Sequence, residues 1–249
     1  VPVAVVLAGG GPEPALAPGL PNKAFLEIGG RPLVRRVVDA LRGCAAVERV
    51  LVVGPAEPLA ASIGADAEVI PEQASLMDNL AAAVARAGGR GQVLAVASDL
   101  PLITSDSIAS FLARCNDGAD FYYVIVPQES IERSFPTARK TYVKVTDGTF
   151  CGGSVLCFNS DVLDRVRPFV EQVINARKKP WLLAQLFGWG TVMKFASGRL
   201  SISEMETRAR EVTGLVGRAV TVDGPELALD VDADRPENLQ AILAGDRGR

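Results

Sequence analysis

Apolar positions in the first half of the chain follow two alternating patterns. Short unbroken runs, "VAVVLA" at 3–8 and "VERVLVVG" at 47–54, have the length and branched content of buried strands. Between them, "RPLVRRVVDALRG" (31–43) places Leu33, Val34, Val37, Val38 and Leu41 on one stripe of a helix. The alternation continues with a helix over 57–64, a strand end over 67–71 and an Ala-rich helix over 75–88 stopped by Gly88 and Gly89. A strand and turn over 92–101, a helix over 104–115 capped by Thr104 or Ser105, and a strand over 121–127 complete it. Continuous apolar strands alternating with helices predict an α/β fold: a three-layer α/β/α arrangement around a mainly parallel, Rossmann-like sheet. Right-handed crossovers bring the strand C-termini to one edge, where ligands of such sheets bind. "AGGG" after the first strand and "SDLP" after the fourth therefore face one crevice.

The second half is less regular. The polar stretch 128–140 reads as a loop, and 141–150 alternates around Asp147-Gly148, a hairpin signal. Gly152 and Gly153 enter a strand over 152–159. Helices are expected over 160–179 and 180–190, a strand over 191–196, and a helix over 201–214 with a capping box at Ser201/Glu204 or Ser203/Glu206. A strand over 218–232 and a helix over 235–245 close the chain, with Asp234 as candidate cap. The basic run Arg177, Lys178, Lys179 reads as the end of a helix answering its dipole. With no internal repeat or low-complexity linker, a single domain over 1–249 is expected.

Charge narrows the function. Lys plus Arg number 26 against 29 Asp plus Glu, a net charge of −3, which argues against a nucleic-acid partner but leaves room for a basic pocket holding a small anion. No apolar run reaches the roughly 18 residues of a membrane helix, and no secretory leader pattern opens the sequence, so a cytoplasmic protein is expected. Four cysteines without zinc-ligand spacing read as reduced, mostly buried thiols. There is no histidine, which removes Ser-His and Cys-His nucleophile systems and leaves carboxylates, lysine, backbone groups or a bound metal.

Four features then carry candidate chemistry. Gly9, Gly10 and Gly11 offer bare backbone amides to a phosphate at a strand end, although neither a Walker A loop nor G-x-G-x-x-G is present. Lys23 in "PNKAF" is a cation seated between Pro21 and an apolar stretch. Asp99 follows a buried strand at the crevice edge, and Asp230 and Asp232 in "LALDVDADRPENL" share one face at strand spacing. Carboxylates of this kind suit Mg²⁺ completed by phosphate oxygens; Asp capping a turn is the simpler alternative. Lys140 beside Gly152 and Gly153 is the candidate receptor for a phosphorylated acceptor, a solvated loop being the plain alternative.

Together "VVLAGGG", "PNKAFLEIGGRPLVRRVVDAL", "SLMDNLAAAV", "ASDLPLIT" and "LDVDADRPENL" resemble, in order, the motifs of nucleotidyltransferases of the glycosyltransferase-A-like fold. The resemblance is strongest to the MobA-like group, which includes molybdenum-cofactor guanylyl- and cytidylyltransferases and sugar-1-phosphate nucleotidylyltransferases. It implies a nucleotide-binding half (1–125), an acceptor-binding part (126–217) and a metal-binding strand with a closing helix (218–249). It implies contact of Leu7, Ala8, Gly9, Gly10, Gly11, Ser75, Asn79 and Ser98 with a nucleoside triphosphate, and Lys23 on the reacting phosphates. Mg²⁺ would be held by Asp99 and Asp232, or by Asp230 in its place, Asp232 being preferred as nearer the helix start. The sequence departs at Pro12-Glu13, where the group carries an arginine, and at Asn22, inserted between Pro21 and Lys23. A nucleotide-sugar glycosyltransferase is disfavoured by the single carboxylate in "SDLP", where those enzymes carry D-x-D. A nucleotide-binding regulator without catalysis is the remaining alternative. Base, acceptor and oligomeric state are left open.

Overall fold

The computed structural model describes residues 1–176, 180–232 and 235–246. Arg177, Lys178, Lys179 and Asp234 lie outside the described residues. In chain order come β1 (Val3–Leu7), β2 (Glu27–Ile28), β3 (Arg31–Pro32), α1 (Leu33–Arg42), β4 (Val50–Gly54), α2 (Ala56–Ile63), β5 (Glu68–Pro71), α3 (Leu76–Arg86), β6 (Gln92–Ala97), α4 (Ser105–Leu112) and β7 (Phe121–Pro127). There follow α5 (Gln128–Ser134), β8 (Val143–Val145), β9 (Gly148–Asn159), α6 (Leu163–Ala176), α7 (Pro180–Phe187), α8 (Trp189–Ala196), α9 (Ile202–Thr213), β10 (Gly217–Thr221) and α10 (Pro236–Asp246).

The central sheet has the order β10-β7-β9-β6-β1-β4-β5, with β8 paired to β9. Neighbours are parallel except β9, which runs antiparallel between β6 and β7. Alternate residues of β1 enter opposite layers. Ala4 and Val6 join the apolar stripes of α1, α2 and α4, including all five α1 positions read from the sequence except Leu33, which packs in the cluster beside α10. Val3 and Val5 join α3 and the start of α6. The fold is thus the expected mainly parallel sheet between two helical layers, with the ends of β1, β4, β5 and β6 on one edge.

Four expectations are corrected. Residues 128–134 form α5 rather than loop, because Ile131 and Phe135, four apart, both find the core. Residues 191–196 belong to a helix, α8, rather than a strand; a short apolar run has no decisive period, and here it continues the turn begun at Trp189. The strand expected over 218–232 stops at Thr221, because Gly224-Pro225 turns the chain into a single 3-10 turn over Pro225–Leu227. In the hairpin, Thr146 and Asp147 form the turn, and Gly148, at φ +144°, already begins β9. The capping box of α9 is the Ser201/Glu204 one.

Candidate active site

The chain leaves β1 through Ala8 and the glycines and returns as a tight turn at Lys23–Phe25. Asn22, only 3% exposed, ties these two pieces together. Its side-chain amide donates to the Ala8 carbonyl at 2.9 Å and the Gly10 carbonyl at 3.3 Å, while its oxygen accepts from the Ala24 N–H at 2.9 Å. The inserted residue is therefore the clamp that sets Lys23 beside the glycine loop. The following Gly29 and Gly30 both take positive φ in the two-residue turn of the β2–β3 hairpin, which leads into α1.

Lys23 Nζ lies 2.8 Å from Asp99 Oδ2, donates to the Val231 carbonyl at 3.2 Å, and stands 3.9 Å from Glu13 Oε1. Asp99 is 7% exposed, and its other oxygen, Oδ1, is buried with no hydrogen-bond partner among the described residues. The segment beyond the 3-10 turn crosses this point, since the Val231 N–H donates to the Asp99 carbonyl at 3.0 Å. Leu229 and Val231 are buried, which leaves Asp230 on the opposite, half-exposed face. Lys140 Nζ lies 2.5 Å from Asp230 Oδ1, its side chain only 8% exposed. Lys140 is delivered there by Asn238, fully buried on α10, which accepts from the Arg139 N–H at 2.7 Å and donates to the Arg139 carbonyl at 3.0 Å.

The charges act on one another. Burial pulls the Lys23 ammonium down, but the Asp99, Glu13 and Asp230 carboxylates outweigh it and leave its pKa above the ordinary lysine value. Burial pushes the Asp99 carboxyl up; Lys23 pulls it back, Asp230 adds to the push, and the net position is above the ordinary carboxylate range. The Asp230 charge thus acts on both Lys23 and Asp99. Asp232, half-buried two residues on, accepts from the Arg235 N–H through its backbone carbonyl.

The glycine loop has its own neighbours. Glu72, just past β5, accepts from the Gly10 N–H at 2.7 Å, and a Cβ on Gly9 would overlap its carboxylate. Asn79, buried on α3, accepts from the Gln73 N–H at 2.6 Å and so braces the loop that carries Glu72. Gly10 and Gly11 are exposed; Ala8 is buried, and Leu7 and Gly9 are half-buried. Ser98 is buried and its N–H donates to the Leu7 carbonyl at 3.3 Å. Ser75 caps α3 by accepting from the Asp78 N–H at 3.1 Å, so its hydroxyl already has a local role. On β9, a Cβ at Gly152 would overlap the Tyr123 phenol, and one at Gly153 would stand 2.7 Å from the Leu227 carbonyl. Gly152 is exposed and Gly153 buried, so close packing accounts for the second glycine.

The structure therefore gathers Lys23, Asp99, Asp230 and Lys140 around one point, with the glycine loop clamped to it. Asn22, Glu72 and Asn238 had no role in the sequence reading. Asn22 stands where a side-chain amide commonly fixes a tight turn. Asn238 shares its buried stripe with Ala241 and Ile242, and a polar residue at such spacing is a readable signal. For a divalent cation, the buried, unpartnered Asp99 oxygen beside Asp230 is a fitting donor set. Among the described residues there is no group of three or more carboxylate, thiol or imidazole ligands that could hold a metal.

Residues 4–187 match the family model described as the MobA-like NTP transferase domain. A hypothetical transferase from Thermus thermophilus is 34% identical, with 96% of this chain and 99% of that one covered at a TM-score of 0.85. CMP:2-keto-3-deoxy-manno-octonic acid synthetase, solved with CTP, superposes over 99% of this chain and 98% of its own at a TM-score of 0.62 and 17% identity. A homologue of Mycobacterium tuberculosis rv0371c from Mycobacterium sp. strain JC1 does so over 99% and 98% at a TM-score of 0.55 and 19% identity. No curated protein matches the chain.

Proposed function

The chain belongs to the family of MobA-like NTP transferase domains, and from that premise we propose a Mg²⁺-assisted transfer of a nucleoside monophosphate from a nucleoside triphosphate to a small phosphorylated acceptor. Nucleotidyl transfer itself is the family's chemistry. The acceptor class, the metal and the residue roles are our reading. A phosphate oxygen of the acceptor attacks the α-phosphorus; that P–O bond forms as the bond to the β-phosphate bridging oxygen breaks, and pyrophosphate leaves with the electron pair. The attacking oxygen is already ionised near neutral pH, so a chain without histidine suffices.

Such a displacement needs alignment and charge stabilisation more than covalent help. Lys23, fixed by Asn22 and Asp99, would offset charge growing on the α- and β-phosphates. The exposed Gly10 and Gly11 backbone would seat the nucleotide, with Glu72 and Asn79 shaping the loop. Asp99 and Asp230 would be the protein ligands of Mg²⁺, with Asp232 on the same face; bound there, the ion supplies Lewis-acid stabilisation of phosphoryl oxygens. Lys140 and the exposed Gly152 backbone would receive the acceptor phosphate.

The observation that carries this reading is the Lys23–Asp99 pair at 2.8 Å with the second Asp99 oxygen buried and unpartnered. Pyrophosphate release across the four common triphosphates and a panel of phosphorylated acceptors tests it. One triphosphate should turn over with Mg²⁺, and Lys23→Ala should lower kcat/KM by roughly 10²–10³-fold, the scale of losing one preorganised charge-stabilising group. Tight triphosphate binding with no pyrophosphate from any acceptor would overturn it.

A further inference from the structure

On the face of the sheet shared by α3 and α6 lies a cleft of about 250 Å³ whose lining presents no polar surface. Its floor is β7 and β9, its walls α3 and the start of α6. Protein interiors leave few voids larger than water, and water held among purely apolar walls finds no partners. A cleft of this kind, left open, has the composition of a ligand seat rather than of a packing fault.

Its position is informative. Leu76, 48% exposed, is the first residue of α3 and follows Ser75 at the crevice edge. Tyr123, 40% exposed, contributes to the lining, while its phenol oxygen stands against Gly152, the proposed acceptor side. Tyr123 thus has one end in the cleft and its polar tip against Gly152 on β9, the usual placement of an amphipathic ring. From this mouth the cleft follows the strands down to Phe121 and its cross-strand partner Phe158. Gly152 is level with Ile125, so the run from Ile125 to Phe121 is about 13 Å at the rise of a strand.

We propose that this cleft is the seat for a hydrocarbon tail on the acceptor, so that the enzyme takes a phosphate monoester bearing a short alkyl or prenyl chain. The chain lies along the sheet between α3 and α6, and its phosphate emerges beside Gly152, Lys140 and Asp230. The commitment to this occupant rests on continuity: the apolar lining ends where the phosphate-handling groups begin. It also rests on the proposed transfer to a phosphorylated acceptor. The cleft's length fits a short free amphiphile and not a polyprenyl chain.

Calorimetric titration of methyl, butyl and octyl phosphate into the full-length protein, with Mg²⁺ present, tests the cleft without requiring turnover. Each methylene buried tightens binding by roughly fourfold, so octyl phosphate should bind on the order of a hundredfold more tightly than butyl phosphate. Val166→Trp, which fills the cleft from the α6 wall, should lower that advantage at least tenfold and leave methyl phosphate unchanged. Leu76→Arg at the exposed mouth is the second variant, should the first fail to fold. Equal affinity for butyl and octyl phosphate, or an octyl advantage that survives both variants, would overturn the proposal. So would a flat series accompanied by variants that change the oligomeric state, since the cleft would then belong to a second copy of the chain. Pyrophosphate is assayed in the same samples: a chain-length dependence without any pyrophosphate supports the cleft and counts against the transfer reading, and turnover without chain-length dependence does the reverse.

Discussion

At Asp99 the carboxylate carries a burial penalty that Lys23 relieves only in part. Its native pKa lies above the ordinary value, so its contribution to stability is fully present below the unfolded pKa and is lost as pH rises through the native one. In buffer without divalent cations, the melting temperature of Asp99→Asn should therefore fall less than that of the wild type as pH rises, because the titrating carboxyl is gone. Melting curves followed by circular dichroism across a pH series check this, and the same pH dependence in both proteins would contradict it. Asp117 and Glu204 have the opposite sign. Hydrogen bonds from Arg218 and Lys194 respectively hold their carboxyls below the ordinary value, so their contribution is present above that value and lost as pH falls through the native one. Stability should thus turn downward below about pH 4. Lys23 stood out in the sequence because Pro21 and an apolar stretch seat it, and Asp99 because it follows a buried strand at the crevice edge. Asn22 did not, because two of the three backbone groups it binds, the Ala8 and Gly10 carbonyls, come from the glycine loop, and nothing local in "PNK" names them.

Among the elements, α10 governs Lys140 from a distance. Asn238 is fully buried and holds both backbone groups of Arg139, which its truncation leaves without that partner. Asn238→Ala should cost about 1–3 kcal/mol by urea denaturation. It should also raise the KM for the acceptor more than that for the nucleotide, as should Lys140→Ala; equal effects on both substrates would remove Lys140 from the acceptor side. The amphipathic helices were legible because their apolar residues repeat with a definite period, and α1 has the five buried positions its sequence marks. The segment 191–196 was not, since six mostly apolar residues fit a strand as well as a helix. Only the chain around it, entering from Gly188 at φ +84°, decides. The stretch 228–232 was expected as the end of a strand, which instead stops at Thr221. Its backbone partner is Asp99 and its register depends on the turn at Gly224-Pro225.

For the whole molecule, the order of strands matters more than any one of them. The first half could be read as a parallel sheet from its own alternation. The antiparallel β9 could not be placed, because its position depends on pairing with β6 and β7 across long stretches of chain. No helix among the described residues is long and apolar enough to cross a membrane. Because β9 is the strand that joins β7 to β6, residues 1–127 alone should not close the sheet. That fragment should be expressed as an aggregate or bind the dye ANS as a loose globule; a monomer with native-like near-ultraviolet dichroism would contradict this.

The same topology has a consequence during synthesis. After β6 leaves the ribosome its outer flank stays bare until residue 159 emerges, an interval of about 3–12 s at roughly 5–20 residues per second. A nascent chain with so long a delay between a finished apolar strand and its partner is a natural client for chaperones at the exit tunnel. Slowed translation across 98–147 would lengthen that exposure and lower the soluble yield without altering one contact of the finished protein.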